Sequence, residues 1–233
     1  LRIFAAMKFQ IWLWVGLFTY ALPLFAQETT PPLSSNAIIA KTPIKPAYKA
    51  GEWFKFRIHY GIFNASYATL ALTEATWNGQ PALYAKGIGR TTGLARLFFK
   101  VDDYYSSYFT KEDNRPLHFI RNINEGGYKK HLTIDFDHEQ QQATVIDLKN
   151  ETTGTYSTDP EVQDLISFVY YLRKHLDVDA IQKDEFVVVN LFFDAENYAF
   201  KFKFLGRETI KTKFGKVKTL KFRPYVQSGR VFR

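Results

Sequence analysis

The chain has 233 residues, of which 46% are hydrophobic and 17% aromatic, and its formal net charge is +8 at pH 7. A chain of this length suits one domain that buries a large core without covalent cross-links. The sequence contains no cysteine, which excludes disulfides, thiolate metal sites and cysteine nucleophiles. The aromatic content favours pleated, half-buried strands.

Residues 1–26 have the layout of a secretory signal peptide. A basic start at Met7-Lys8 precedes an apolar run over 11–22, and Ala26 is a small residue at the expected cleavage position. The apolar core, about 15 residues long, is shorter than the ~20 residues of a membrane-spanning helix, which disfavours a retained anchor. We predict translation from Met7, cleavage after Ala26 and a periplasmic or outer-envelope-associated location. Cleavage removes two cations and no acid, so the formal charge falls from +8 to +6.

Residues 27–47 are rich in proline, serine and threonine, which predicts a linker. From residue 48 onward, apolar and polar residues alternate with a period of two. This pattern predicts a single all-β domain over 48–233 that is mostly antiparallel. The alternating runs indicate about ten strands, arranged as a curved sheet or an open, barrel-like meander.

Glycines mark several features of this predicted sheet. Asn78-Gly79 is the strongest hairpin signal, because both residues tolerate a positive φ. Gly87 and Gly89 lie inside a predicted strand and indicate a bulge or the close approach of another segment. Gly206 is predicted to end one strand before the next begins.

One substantial helix is predicted near 160–176. Asp159-Pro160-Glu161 supplies a capping aspartate, a proline suited to the first turn and an acid that complements the helix dipole. Apolar residues then recur at helical spacing as far as Leu176. We expect this helix to cover one open side of the sheet.

The segment 93–99 joins two predicted strands and is more apolar than an ordinary surface loop. It is predicted to form a turn of helix. Exposure of Leu97, Phe98 and Phe99 would create a binding or membrane-contacting patch, whereas burial would let them plug one end of the barrel. We favour burial, because covering such side chains is worth roughly 1.5–3 kcal/mol each.

The candidate ligand-binding residues lie in and around this segment. They are Arg90, Arg96, Leu97, Phe98, Phe99, Asp102 and Asp103. Adjacent residues of a strand point to opposite faces, so Asp102 and Asp103 are not expected to act together as an acid–base or metal-binding pair. We expect one carboxylate to face water and the other to pair with a neighbouring cation.

No nucleophile elbow, phosphate loop or dinucleotide fingerprint occurs in the sequence. A metal site would require His59 and His131 to meet near Asp135, an arrangement that the strand pattern does not favour. We therefore predict no catalytic residue, metal or cofactor. The alternation of lysines and rings is explained by amphipathic strands, and export disfavours a nucleic-acid partner.

Five short motifs occur in a characteristic order. They are Gly51-Glu52, Gly89-Arg90-Thr91, Phe98-Phe99-Lys100-Val101-Asp102-Asp103, Glu125-Gly126-Gly127-Tyr128-Lys129 and Phe204-Leu205-Gly206-Arg207-Glu208. In these motifs the chain resembles the domain-of-unknown-function family DUF3108, exported proteins of Bacteroidetes-type bacteria. The resemblance implies no catalytic residue. Members of the family continue for several more strands, so we expect the domain to be truncated at its C-terminus.

Two function classes remain, with a distant third. The first, which we favour, is a non-enzymatic binding module for a lipid or other apolar envelope ligand, held in an apolar cavity under the helix or at a peripheral membrane contact. The second is an envelope scaffold or assembly factor that acts through protein–protein contacts. The third is a hydrolase of envelope polymers.

Overall fold

A computed structural model of the chain describes residues 47–60 and 63–225. The predicted start at Met7, the signal peptide and nearly all of the predicted linker lie outside these ranges. The unfinished C-terminal strand, which falls within 226–233, lies outside them as well.

Eleven strands and two helices occur in the described residues. The strands are β1 (Trp53–Tyr60), β2 (Phe63–Trp77), β3 (Gln80–Thr91), β4 (Asp102–Thr110), β5 (Pro116–Glu125), β6 (Tyr128–Asp137), β7 (Gln142–Asp147), β8 (Thr152–Ser157), β9 (Phe186–Phe193), β10 (Glu196–Thr212) and β11 (Gly215–Tyr225). The helices are α1 (Gly93–Phe98) and α2 (Ser167–His175).

Strands β1 to β8 form one large antiparallel sheet in which each strand pairs with its neighbour in sequence. Strands β9 to β11 form a smaller antiparallel sheet with β10 in the centre. As far as the described strands go, β1 and β8 each have one partner, so the large sheet is open and does not close on itself. The predicted antiparallel all-β class is confirmed. No helix in the described ranges is long and apolar enough to cross a membrane.

The glycine signals have mixed outcomes. Asn78 (φ 48) and Gly79 (φ 80) form the predicted β2–β3 hairpin turn. No register shift interrupts β3, but a side chain at Gly87 would approach Ile166 to 3.3 Å, so close approach explains this glycine. Gly206 does not end a strand as predicted. With φ +126 it forms a bulge inside the continuous strand β10, because glycine adopts this backbone conformation without a Cβ clash.

Helix α2 begins at Ser167, so the predicted start near residue 160 is wrong. Glu161 has φ +54, a left-handed value that a continuous right-handed helix excludes. Gln163 is held instead against the small sheet, where its N–H donates to the carbonyl of Asn190 at 2.8 Å. The segment before Ser167 therefore follows the edge of β9 before the helix starts.

The cap of α2 comes from Asp164. Its Oδ1 accepts the backbone N–H groups of Ile166 at 2.7 Å and Ser167 at 2.8 Å, while Ser167 Oγ accepts the N–H of Asp164 at 2.9 Å. This reciprocal arrangement satisfies the free amides of a helix N-terminus. The hydroxyl of Ser107, on β4, donates to the other carboxylate oxygen at 2.6 Å and ties the helix to the large sheet.

Helix α2 joins the hydrophobic cores of the two sheets. Tyr170 is fully buried against Leu72 and Phe109 of the large sheet, and Tyr171 packs with Val189 and Phe204 of the small sheet. A third cluster joins the sheets directly and contains Phe119, Leu132, Ile134, Ala143, Val162 and Phe192. The side of the large sheet that packs against α2 and the small sheet, where we expected a ligand cavity under the helix, is therefore lined by side chains of the protein core.

Candidate functional site

Helix α1 lies at one end of the large sheet, where the end of β3 is hydrogen-bonded to the residue before β4; we call this pair of chain segments the base of α1. Below it, the N–H of Thr91 donates to the carbonyl of Val101 at 3.2 Å, and the N–H of Val101 donates to Thr91 Oγ1 at 2.9 Å. Gly93 enters the helix with φ +56. The N–H of Phe99 donates to the carbonyl of Ala95 at 2.9 Å and closes the last turn. The segment is thus a short helical excursion with fixed ends.

Arg96, the one charged residue of α1, points toward the protein. Its guanidinium forms two hydrogen bonds with the Asp102 carboxylate, at 3.0 and 2.8 Å. It also reaches the carbonyls of Thr91 at 3.4 Å and Val101 at 3.3 Å. Such paired contacts fix both partners in one geometry. Arg96 therefore holds α1 down on the base formed by β3 and β4.

The large apolar side chains of α1 and the residue after it face solvent. The exposed fractions are 60% for Leu94, 80% for Leu97, 88% for Phe98 and 54% for Phe99. The predicted buried plug is therefore wrong. The physical reason is that Arg96 takes the protein-facing side of this six-residue helix, which leaves Leu94, Leu97 and Phe98 outside. An ordinary surface helix has the opposite arrangement.

Two more of the fully described turns lie at this end of the sheet, because the turns of an antiparallel meander alternate between its ends. The Phe99 ring lies where a side chain at Gly126 would be, and the N–H of Gly126 donates to the carbonyl of Lys100 at 2.8 Å. Tyr128, next to this β5–β6 turn, is 50% exposed, and Leu148, in the β7–β8 turn, is 49% exposed. We call the following set the apolar tip: Leu94, Leu97, Phe98, Phe99, Tyr128 and Leu148.

Beneath α1, three cations surround one carboxylate. Besides Arg96, Arg90 Nε lies 3.8 Å and Lys100 Nζ 3.7 Å from an oxygen of Asp102. The hydrogen bond from Arg96, supported by the other two charges, holds the pKa of Asp102 below its ordinary value. The same contact raises the pKa of Arg96. Both groups are therefore charged throughout the physiological range, and the cluster carries an excess of positive charge.

Asp103 points to the other face of β4, so the two aspartates do not converge, as predicted. One carboxylate oxygen accepts the N–H of Asn124 at 3.2 Å. Burial, together with the neighbouring carboxyl of Glu125, raises the pKa of Asp103 to about 6. The expectation of a water-facing partner is wrong, because Asp103 is half-buried beside Glu125.

Sequence reasoning missed a second charged cluster, which joins the two sheets. Arg121 Nη1 donates to Asp194 Oδ1 at 2.7 Å, Lys130 contacts the same oxygen, and the guanidinium lies 4.5 Å above the ring of Phe193. Asp194 and Ala195 form a turn with positive φ at both residues. The turn is recognisable in the sequence, but its partner on β5 is not. We interpret this cluster as structural.

The structure offers no metal centre in the described ranges, where no group of three or more histidine, cysteine or acidic side chains is arranged to hold an ion. His59 lies on β1 and His131 on β6, with four strands between them. Asp135 pairs instead with His118, at 2.7 Å between Oδ1 and Nδ1.

Three comparisons place the chain among known proteins. A family model described as "Protein of unknown function (DUF3108)" matches residues 55–233. A crystal structure of a DUF1089 family protein from Pseudomonas aeruginosa is similar at 8% identity, with a TM-score of 0.35, over 70% of this chain and 88% of that chain. A similarity this weak supports no inference about function. None of the curated proteins matches the chain.

Proposed function

The chain belongs to the DUF3108 family, and we propose that it is a non-enzymatic cell-envelope protein that binds lipid through the apolar tip. One observation carries this proposal. Helix α1 directs its one charged side chain, Arg96, inward to Asp102 and leaves Leu97 and Phe98 more than three-quarters exposed. Several large apolar side chains exposed close together are typical of a site that contacts another apolar phase.

Exposure of these side chains to water costs the protein free energy. Covering a leucine or phenylalanine is worth roughly 1.5–3 kcal/mol, and that gain is forgone at four positions in and beside α1. The hydrogen bonds of Arg96 fix the helix in this orientation, so the exposed residues cannot fold back without breaking them. A lipid phase would supply the missing cover.

The fold favours an exterior site over an enclosed one. Val162, Tyr170 and Phe192 lie between the large sheet and the elements that cover it, and each is 1% exposed or less. A ligand on that side would have to displace core side chains, at a cost of several kcal/mol. Lipid contact at the tip requires no such rearrangement.

Export to the cell envelope is part of the proposal. The support is the layout of residues 1–26, with a basic start, an apolar core and a small residue at position 26. Exported protein should begin at Gln27. Detection of a mature N-terminus that still contains Met7 would contradict this part.

Vesicle flotation tests the proposed site. Protein mixed with phospholipid vesicles should float with them, and Phe98→Ala should weaken binding about tenfold or more, because that ring would be removed from the lipid phase. Phe214→Ala is the matched control, since Phe214 is also exposed (54%) but lies in the β10–β11 turn. The proposal fails if the wild type does not float, or if Phe98→Ala binds the vesicles as tightly as Phe214→Ala does.

A further inference from the structure

The cluster beneath α1 carries more positive charge than Asp102 neutralises. Arg90, Arg96 and Lys100 surround Asp102, so one negative charge faces three positive ones. Arg96 is committed to the base of α1. The side chains of Arg90 and Lys100 are 67% and 58% exposed and lie 3.7–3.8 Å from Asp102. Both can therefore turn toward an external anion with little loss.

The same pairing of an apolar residue with a lysine recurs in the neighbouring turns. Phe99 precedes Lys100, Tyr128 precedes Lys129, and Leu148 precedes Lys149. Lys149 Nζ donates to the carbonyl of Lys129 at 3.0 Å, which links the last two turns. Three acids also lie at this end: Asp147, which accepts the amides of the β7–β8 turn, Glu151 in the same turn, and Glu125 beside Asp103.

The opposite end of the sheet has no comparable excess. There, Lys111 pairs with Glu74 at 3.2 Å, and Arg115 pairs with Asp113 at 2.8 Å. The cluster of three cations around one carboxylate therefore lies at the end of the sheet where the apolar side chains of α1 are exposed. Lysine and arginine near an anionic lipid surface each strengthen binding appreciably, and apolar side chains beside them insert below the headgroups.

Building on the proposed lipid-binding function, we infer that the partner of the tip is the surface of an anionic phospholipid bilayer. Leu97, Phe98 and their apolar neighbours enter the boundary between headgroups and acyl chains. Arg90 and Lys100 then contact lipid phosphates. The large sheet stands with this end on the membrane and its opposite end in water.

The test compares vesicles of pure phosphatidylcholine with vesicles that also contain phosphatidylglycerol. Wild-type protein should bind the anionic vesicles more tightly, and this preference should shrink with added salt. The double variant Arg90→Gln/Lys100→Gln should lose about fivefold in affinity per cation on anionic vesicles and bind neutral vesicles as the wild type does. The control Lys111→Gln/Arg115→Gln removes two cations from the opposite end and should behave like the wild type.

The outcomes separate this inference from the function on which it rests. Binding to neither kind of vesicle contradicts the lipid-binding function itself. Equal binding to both kinds, unaffected by Arg90→Gln/Lys100→Gln, leaves that function intact and overturns the anionic partner. Release of the protein from anionic vesicles by inorganic phosphate, at an ionic strength where chloride has no effect, would identify a soluble phosphate site and also overturn it.

Discussion

The two ends of the large sheet are built from the same eight strands but have different surfaces. At one end, α1 and two turns expose the six side chains of the apolar tip above a cluster with excess positive charge. At the other end, the turns are Asn78-Gly79, 111–115 and 138–141, and they are polar. Lys111 and Arg115 pair with Glu74 and Asp113, and Asp137 accepts the N–H groups of Glu139 and Gln140 at 3.0 and 2.8 Å.

This difference separates the demands of folding from those of function. The polar turns reverse the chain with ordinary turn chemistry, which shows that the meander does not need an apolar helix between strands. The helix α1 adds exposed rings and no buried residue to the fold. Its composition therefore requires an explanation other than stability, and contact with lipid supplies one.

The largest contrast should come from two phenylalanines that lie near opposite ends of β4. Phe109 is fully buried and packs 5.3 Å from the ring of Tyr170, whereas Phe98 is 88% exposed. Phe109→Ala should lower the free energy of unfolding by about 3–5 kcal/mol. Phe98→Ala should change it by less than about 0.5 kcal/mol. Urea denaturation measures both, and a large loss for Phe98→Ala would mean that the ring is buried in solution.

Replacing a buried aspartate should likewise cost more stability than replacing an exposed one. Asp164, which is fully buried, caps α2 and accepts the hydroxyl of Ser107. Asp164→Ala should cost about 2–3 kcal/mol, since it removes a helix cap and leaves a buried hydroxyl without its acceptor. Asp102→Ala should change the unfolding midpoint far less, because exposed ion pairs contribute little.

The Asp102 variant has a second readout at the tip. Without this carboxylate, Arg96 loses its two hydrogen bonds, so α1 should open more readily and its amides should exchange faster with solvent. Hydrogen exchange should show that change in 93–99 and leave α2 as in the wild type. Equal destabilisation by Asp164→Ala and Asp102→Ala would contradict the proposed difference between the buried cap of α2 and the exposed ion pair of α1.

A smaller effect should appear in the pH dependence of stability. Burial beside Glu125 raises the pKa of Asp103 from 3.8 to about 6, so between these values the folded state binds more protons than the unfolded state. Stability should therefore fall as pH rises through this window. Asp103→Asn cannot ionise, and its stability should fall less over the same range. Denaturant midpoints across the window measure this, and parallel curves for the two proteins would refute it. Burial also raises the pKa of Asp164 to about 6. Part of the decrease in stability with pH should therefore remain in both the wild type and Asp103→Asn.

Much of the fold could be predicted from the sequence because strand alternation and turn residues are local signals. The period of two indicated the antiparallel sheet. Asn78-Gly79 indicated the β2–β3 hairpin, and five motifs indicated the family. The start of α2 was mispredicted because Asp159-Pro160-Glu161 has the residues of a helix start but forms a turn. The spacing of Asp164 and Ser167, three residues apart, was the usable signal for the true cap.

The candidate site was predicted in its residues but not in its arrangement. The apolar character of Leu97, Phe98 and Phe99 marked them as candidate site residues. Their burial was predicted wrongly because Arg96 binds Asp102 and therefore occupies the side of α1 that faces the protein. Tyr128 and Leu148 were missed although the signal was present. In a meander, every second turn lies at the same end of the sheet, so counting strands from β1 would have placed both residues at the end that carries α1.

The central claim is that the apolar tip enters the bilayer while the opposite end of the large sheet stays in water. Measuring how deeply each end of the sheet inserts tests this claim most directly. The sequence contains no cysteine, so Phe98→Cys and Gln140→Cys each give a single site for an environment-sensitive fluorophore, one at the tip and one at the opposite end. On anionic vesicles, the label at 98 should shift its emission to the blue and be quenched by spin-labelled acyl chains, while the label at 140 should do neither. A label at 98 that stays in water while the protein is bound, or equal quenching at both positions, would contradict the account.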